Sequence, residues 1–206
     1  MKKKIIPLII SVSAAGMLLG GCSLFGGDSG NTDNTATADV QSSEEKNGDV
    51  VEKDGVRKTV VYSNDSLGIK GETGPVKYSI DNIQLADVIT TTDNASRMLD
   101  LEKNTDAVMV TVGFTCSNTW EIQANFYICQ AEIETEDGVK ATPKSFYGEY
   151  VDGNIPPGTT KSGSNVYIIK GKKAADIKKL KFHVDAPADG DFLEVGENVD
   201  IEIDCN

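Results

Sequence analysis

His183 is the single histidine of the chain and the side chain best suited to acid–base catalysis. It is in phase with Lys179 and Lys181, so we expect it on the solvent face of a strand. A catalytic triad needs a histidine that a carboxylate orients, and a strand face lined by lysines is a poor place for one. Nothing marks the pair of carboxylates, about 5–10 Å apart, that glycosidases use. The sequence therefore predicts a protein that is not an enzyme and has no cofactor, and a hydrolase whose acids only the fold assembles is the catalytic alternative.

Three cysteines lie in the part of the chain that is rich in alternating apolar residues. No two of them are spaced as Cys-x-x-Cys, and with a single histidine they do not suggest a zinc site. Their phase predicts that all three side chains point inward. Two alternatives stay open: one disulfide of unknown pairing, which a location outside the cytoplasm permits, or three small buried hydrophobic side chains. The residues concerned are Cys116, Cys129 and Cys205.

An acidic loop near the C-terminus raises the possibility of a metal site. Asp185, Asp189 and Asp191 lie around a glycine in this loop. Calcium takes about six to eight oxygen ligands, and acidic loops in secreted proteins can supply them. The spacing of an EF-hand is not met, because Pro187 occupies the third position. The three aspartates are therefore a weak calcium candidate, with a solvated loop between strands as the alternative.

Aromatic residues mark a possible binding face. Phe146, Tyr147 and Tyr150 form a cluster before a Pro-Pro-Gly turn, and Trp120 is the single tryptophan. Exposed rings can stack on sugars and anchor protein partners. Packing in the core or at a sheet edge is the alternative for each of them.

A different chemistry is indicated at Cys22. Lys2 to Lys4 form a basic start, and Ile5 to Leu19 is a mostly apolar stretch of 15 residues, shorter than the roughly 20 that span a bilayer. The stretch ends in Leu19-Gly20-Gly21-Cys22, which resembles the lipobox of bacterial lipoproteins. In that motif a diacylglycerol is attached to the thiol, and cleavage makes the cysteine the new N-terminus. The resemblance implies a signal peptide over 1–21 and lipid anchoring at the outer face of the cell membrane, with an ordinary secretory signal as the alternative.

The residues after the lipobox are predicted to be a disordered linker. Residues 22–52 contain mostly Gly, Ser, Asn, Thr, Asp and Glu, and such a segment cannot bury enough apolar surface to offset the entropy of ordering. A flexible chain of this length reaches roughly 30 Å. Without residues 1–21 the chain has 17 basic and 32 acidic side chains, a formal charge of −15. A nucleic-acid partner is excluded by this charge, because the phosphate backbone would be repelled.

The elements that must position these side chains are strands. Apolar residues alternate with polar ones over Val108–Cys116, Leu180–Val184 and Val199–Cys205. This period of two predicts strands with one face on a core and the other in water. We count about seven or eight such strands over residues 53–206, which predicts an all-β, immunoglobulin-like β-sandwich.

Bulge and turn signals in the sequence mark where the strands bend and end. The phase slips next to Asp81-Asn82, which predicts a β-bulge there. Asp137-Gly138 predicts a hairpin turn, and Pro156-Pro157-Gly158 a type II turn, because glycine tolerates the positive φ that such turns need. The one short helix is predicted at Ala95–Lys103.

Several motifs occur in an order that is typical of one family. They are the strand Val108-Met109-Val110-Thr111-Val112 running to Asn118, the strand reaching Glu136-Asp137-Gly138, and the turn Pro157-Gly158-Thr159 followed by Val166-Tyr167-Ile168-Ile169. In this order the stretch from about 76 to 184 resembles the telokin-like, immunoglobulin-fold extracellular domains of unknown function found in many Gram-positive lipoproteins. The three cysteines and the long segment 86–105 depart from the family pattern. The resemblance implies the fold and a surface location, and it brings no catalytic residues.

These observations together predict a lipid-anchored cell-surface protein that carries a non-catalytic, immunoglobulin-like interaction module. Its partners would be the membrane, through the N-terminal lipid, and an unidentified surface component or protein. A carbohydrate- or calcium-binding accessory module of the cell envelope is the alternative.

Overall fold

Antiparallel strands make up most of the computed structural model, which describes residues 46–144 and 147–206. The predicted signal peptide, the predicted lipidation site Cys22, the predicted linker up to residue 45 and the aromatic residue Phe146 lie outside the described residues. The strands are β1 (Val50–Lys53), β2 (Val56–Asn64), β3 (Ile69–Thr73), β4 (Val76–Thr90), β5 (Ala107–Asn118), β6 (Ala124–Asn125), β7 (Glu132–Thr135), β8 (Lys140–Ala141), β9 (Asn154–Ile155), β10 (Thr160–Lys170), β11 (Lys179–Val184) and β12 (Val199–Asp204).

Two sheets form the two layers of a sandwich. Sheet 1 has the order β1-β2-β4-β5-β10, and β3 follows β2 along the same edge of β4. Sheet 2 has the order β12-β11-β7-β8, and β6 pairs with β9 as a separate ribbon. The predicted all-β sandwich is confirmed. The described chain has more strands than predicted, because three two-residue strands and the β1–β3 segment add to the strands that periodicity revealed.

The inner core lies between the sheets. Alternate residues of β4, β5 and β10 face alternate residues of β7, β11 and β12, as the period of two predicted. Removing a large apolar side chain from water contributes about 1.5–3 kcal/mol, so this layer is the main source of stability. The largest fully buried side chains from these six strands are Ile80, Ile83, Leu85, Phe114, Ile133, Tyr167, Ile169, Leu180, Phe182 and Ile203.

The outer face of sheet 1 is also covered, which corrects the prediction that one face of β5 meets water. Ala107 and Met109 are buried on that face, because a helix, α1 (Asp93–Leu99), packs against it through Ala95 and Leu99. We call this second core the outer cluster. Its buried residues are Val56, Val88, Ala95, Leu99, Leu101, Ala107, Met109, Val166 and Ile168.

The position of α1 also differs from the predicted Ala95–Lys103. The helix begins two residues earlier because the side chain of Thr92 caps it, accepting a hydrogen bond of 3.3 Å from the Ala95 N–H. It ends at Leu99 because Asp100 adopts a left-handed conformation with φ of 53°. The helix is therefore shorter than predicted and placed further toward the N-terminus.

The turn and bulge predictions are confirmed. The register between β4 and β5 shifts between Ile80 and Asn82, as expected for a bulge. Gly138 has φ of 84° in the turn between β7 and β8, and Gly158 has φ of 62° before β10. Both values lie in the left-handed region, where glycine is favoured.

The folded unit begins before the predicted boundary at residue 53. Strand β1 starts at Val50, and the Gly48 N–H already donates to the Val60 carbonyl at 2.8 Å. The described residues from Lys46 onward belong to one compact unit. Within the described residues, no helix combines the length and the apolar character that crossing a bilayer requires.

Candidate functional site

One buried amide organises an end of the sandwich. Asn118, the last residue of β5, donates from Nδ2 to the carbonyls of Ile122 (2.7 Å) and Ile155 (3.0 Å). Its Oδ1 accepts from the N–H of Trp120 at 2.9 Å, and its own N–H donates to the Thr159 carbonyl. Asn118 is only 2% exposed. These bonds fasten the loop after β5 and the turn before β10 to the same point.

A second loop is joined to this end through β6. Asn125 exchanges two backbone hydrogen bonds with Ala188, of 2.7 and 2.9 Å, and its Nδ2 donates to the Asp189 carbonyl. Farther along this loop, Thr73 Oγ1 donates to the Glu197 carbonyl and accepts from the Glu197 N–H. The loop 119–123 therefore leads directly into β6, the loop 185–198 pairs with β6 at Ala188, and both loops are held by hydrogen bonds. We call these two loops together the acidic tip.

Large apolar side chains are exposed on the acidic tip. Ile122, Phe192 and Leu193 are 58%, 72% and 65% exposed. The backbone of Phe192 has φ of 61°, a left-handed conformation that bulky residues rarely adopt. The carboxylate of Asp189 holds this turn by accepting from the N–H groups of Asp191 and Leu193 at 2.9 and 3.0 Å. The loop therefore presents an aromatic side chain to solvent in a strained but well-bonded turn.

The charge of the acidic tip has one sign. Its 19 residues include six acidic side chains and no lysine or arginine. Such a concentration gives the tip a strongly negative potential at neutral pH. The acidic residues are Glu121, Asp185, Asp189, Asp191, Glu194 and Glu197.

The aspartates of the calcium candidate make contacts that are separate from one another. Asp189 binds backbone N–H groups of its own loop, and Asp185 lies 3.5 Å from Nε2 of His183. Within the ranges 46–144 and 147–206, no three His, Cys, Asp or Glu side chains are grouped so as to hold a metal ion. The structure therefore does not bring these carboxylates together.

The aromatic residues proposed as a binding face are dispersed. Trp120 is half-buried in the acidic tip, whereas Tyr147 packs against the outer cluster. Met109 of that cluster lies near the start of β5 and Trp120 lies just after its end, a separation of about 36 Å of extended chain. Tyr150 is exposed in the loop before β9. The described members of the predicted face, Trp120, Tyr147 and Tyr150, do not form one surface.

The three cysteines are buried free thiols. Burial raises the pKa of Cys116 to about 11 and that of Cys205 to about 12, and it also raises the pKa of Cys129. The thiolate is the reactive form, so these side chains are poor nucleophiles at neutral pH. All three side chains point inward, as their phase in the sequence predicts.

His183 lies on the wet face of sheet 2, as predicted, but it has acidic neighbours. Its Nδ1 is 2.8 Å from Oδ1 of Asp200 on β12, and Glu132 of β7 is its partner across the other ladder. The hydrogen bond with Asp200 is the main reason why the pKa of His183 is raised, and Asp185 adds to it. Desolvation acts in the opposite direction. The carboxylates therefore favour the protonated imidazole, in an ion pair on a partly exposed strand face.

This ion pair predicts a pH-dependent contribution to stability. Because the pKa of His183 is higher in the folded chain, the contribution is fully present below the unfolded value of about 6.5 and is lost as the pH rises through the folded value. Asp200→Asn should lower the His183 pKa and cost at most about 1 kcal/mol at pH 6, since the pair is partly exposed. Urea unfolding at pH 6 and pH 9 and an NMR titration of this single histidine measure both effects.

The matched control is Asp176→Asn, which removes a carboxylate seven residues before His183 and outside the His183–Asp200 pair. It should leave the histidine titration unchanged. Equal destabilisation by Asp200→Asn at both pH values would contradict the assignment.

Phe192 and Leu193 were not identified as candidates from the sequence. A usable signal exists, because these are adjacent large apolar residues inside a loop that is otherwise acidic and small. A loop tip of that composition has no core to enter, so its apolar residues should be exposed.

The fold and this end of the molecule define the class of protein: an antiparallel β-sandwich with a strongly acidic loop end that exposes apolar side chains. No family model matches the sequence, and no curated protein matches it. Among solved structures, a functionally unknown protein from Listeria monocytogenes is similar over 72% of this chain and 88% of its own, with 12% identity and a TM-score of 0.53. This similarity supports the fold.

Two further solved structures are more distant. A candidate lipoprotein from Bacillus subtilis is similar over 67% of this chain and 39% of its own, with 13% identity and a TM-score of 0.47. An uncharacterised β-sandwich protein from Clostridium difficile is similar over 76% of this chain and 90% of its own, with 15% identity and a TM-score of 0.32. The membership of the telokin-like family that the sequence motifs suggested stays a prediction.

Proposed function

We propose that this protein is a lipid-anchored binding module on the outer face of the cell membrane, with a sandwich domain of the telokin-like, immunoglobulin-fold type. The observation that carries the proposal is the sequence Leu19-Gly20-Gly21-Cys22 after a basic start and an apolar stretch. Diacylation at Cys22 would insert two acyl chains, each methylene contributing about 0.8 kcal/mol, so anchoring would be long-lived.

The features of the folded unit support binding rather than catalysis. The best-placed titratable side chain, His183, is held in an ion pair with Asp200 on an open strand face. The thiols are buried, and their raised pKa values keep them protonated. The acidic tip, in contrast, exposes side chains that the fold does not use. Recognition of a partner therefore agrees best with the chemistry of the described residues.

Replacing the lipidation residue tests the anchor. Cys22→Ser should abolish incorporation of an alkyne-labelled fatty acid, because the thiol that accepts the diacylglycerol is gone. The protein should then appear in the medium or remain as an unprocessed precursor. In-gel detection of the label and membrane fractionation of producing cells measure the two results.

The matched control is Ser23→Ala, a substitution of similar size at the next residue. It should keep the label and the membrane fraction of the unaltered protein. Labelling that persists in Cys22→Ser would refute lipidation at this site.

A further inference from the structure

We propose that the acidic tip is the docking surface for a protein partner that presents an apolar pocket surrounded by lysine or arginine side chains. This inference rests on the proposed function as a surface binding module and names the chemistry of its partner. Phe192 would enter the pocket, and the surrounding carboxylates would meet the basic rim.

The first support is the exposure of apolar side chains that the fold does not need. Ile122 is exposed on the loop that leads into β6, and the adjacent residues Phe192 and Leu193 are exposed on the loop that pairs with β6 at Ala188. Exposed apolar residues that occur together and are rimmed by polar groups mark interaction sites. Aromatic side chains are also enriched among the residues that dominate binding energies.

The second support is the backbone of Phe192. A left-handed conformation disfavours a bulky residue, and glycine or asparagine would adopt it at lower cost. The side chain gains little packing in return, because most of its surface is in solvent. Backbone strain that is not offset by packing within the fold is a feature of functional loops.

The third support is the rigidity of the surface. The Asp189 carboxylate, the Asn125 amide and the Thr73 hydroxyl each hold a part of the loop 185–198 through hydrogen bonds to its backbone. A surface that is already ordered loses less conformational entropy when it binds. The acidic tip is therefore built to present its apolar side chains in a fixed arrangement.

Charge complementarity selects the partner. An anionic phospholipid surface would be repelled by the six carboxylates, whereas basic side chains around a pocket would be attracted and would speed association. A second copy of this chain is a weaker match, because Lys170, Lys173 and Lys179 already form ion pairs of 2.6–2.9 Å within the chain.

The acidic tip and the point at which the linker joins the domain lie at opposite ends of β4. The linker enters the fold beside Val60, which pairs with Ala86 of β4. The acidic tip lies beyond the opposite end of β4, at Val76, which is ten residues away or about 30 Å of extended strand. The tip is thus separated from the point at which the linker joins the domain.

Photo-crosslinking in intact cells tests the proposal with the full chain. A benzophenone amino acid is placed at Leu193, and the same probe is placed at Met98, an exposed residue on α1, as the matched control. We expect a protein adduct from position 193 that is absent from position 98. Mass spectrometry of the adduct should map it to a partner segment that contains lysine or arginine beside large apolar residues.

Two variants in the same cells make the test specific. Phe192→Ser removes the aromatic side chain, and Asp191→Lys with Glu194→Lys reverses charge around it. Each change should reduce the yield of the adduct at least tenfold, the loss typical of a dominant contact. All three positions are exposed, so circular dichroism should confirm an unchanged fold. An adduct that survives both changes would overturn the proposal.

The other outcomes are also decisive. A lipid adduct would assign the acidic tip to the membrane, a homodimer adduct would assign it to a second copy, and no adduct would leave the docking proposal refuted. Fatty-acid labelling is measured on the same cells. If the fatty acid is incorporated but no protein adduct forms, the docking proposal fails and the anchor stands. If a protein adduct forms but no fatty acid is incorporated, the anchor fails and the docking proposal stands.

Discussion

Replacing Asn118 with alanine is expected to lower the free energy of unfolding by about 2–4 kcal/mol. The amide is buried and makes three hydrogen bonds, to the carbonyls of Ile122 and Ile155 and from the N–H of Trp120. Alanine leaves all three backbone groups without this partner at a site that water does not reach easily. Buried groups that lose a partner cost more than a typical hydrogen bond contributes.

The same substitution should also loosen the middle of the loop 119–123, because the amide of Asn118 bonds the backbone of Trp120 and Ile122. Urea unfolding gives the change in stability, and hydrogen exchange of the loop amides gives the local effect. Asn94→Ala on the exposed face of α1 is the matched control, and it should cost less than about 0.5 kcal/mol. A loss of that small size at Asn118 would contradict the role assigned to its amide.

Replacing Gly74 with alanine should destabilise the protein by about 2–4 kcal/mol, the combined cost of a left-handed conformation and of overpacking. Gly74 has φ of 50° in the turn between β3 and β4, and a Cβ atom there would overlap the carbonyl oxygen of Val195. The obstacle is backbone rather than a flexible side chain. The loop 185–198, which is part of the acidic tip, would therefore have to move.

Gly138→Ala separates the two contributions to this cost. Gly138 also has a positive φ, of 84°, but a Cβ atom there meets no heavy atom of the described chain within 4 Å. Gly138→Ala should lower the free energy of unfolding by only about 1–2 kcal/mol, the cost of the left-handed conformation alone. Thermal and urea unfolding of both variants measure the difference. Equal losses at the two glycines would show that the contact with Val195 is unimportant.

Features that depend on neighbouring residues were predictable from the sequence. The bulge after Ile80 changes the phase of a single strand, and the turns at Gly138 and Gly158 need only a residue that tolerates positive φ. The alternating strands likewise follow from a local period of two. These signals are sufficient for the all-β class and for the sandwich.

The outer cluster was not predictable in the same way. Its members come from β2, β4, α1, β5 and β10, and only the pairing of these elements brings them together. Ala107 and Met109 occupy the positions of β5 that alternate with the inner-core residues. A rule based on alternation therefore predicts that their side chains face solvent. Tertiary packing decides their burial.

The charge of the candidate site was predicted, whereas its apolar component was overlooked although the composition of the loop carried a signal for it. Asp185, Asp189 and Asp191 stood out as an acidic loop, and the interpretation as a calcium candidate followed from their number. Their separate roles depend on His183 and on backbone groups of the folded loop. The left-handed backbone of Phe192, in contrast, is a conformation that no residue preference would have suggested.

The way in which the linker joins sheet 1 has a mechanical consequence. The N-terminal strand β1 lies at the edge of the sheet and pairs with β2 through only four residues, from Val50↔Thr59 to Lys53↔Val56. With the N-terminus anchored as proposed, tension from a load at the far end would first break the backbone hydrogen bonds of Gly48 and Asp49 with Val60 and would then peel these pairs apart one at a time. The short hairpin would thus lengthen the molecule and absorb the pull before the layers of the sandwich came under stress.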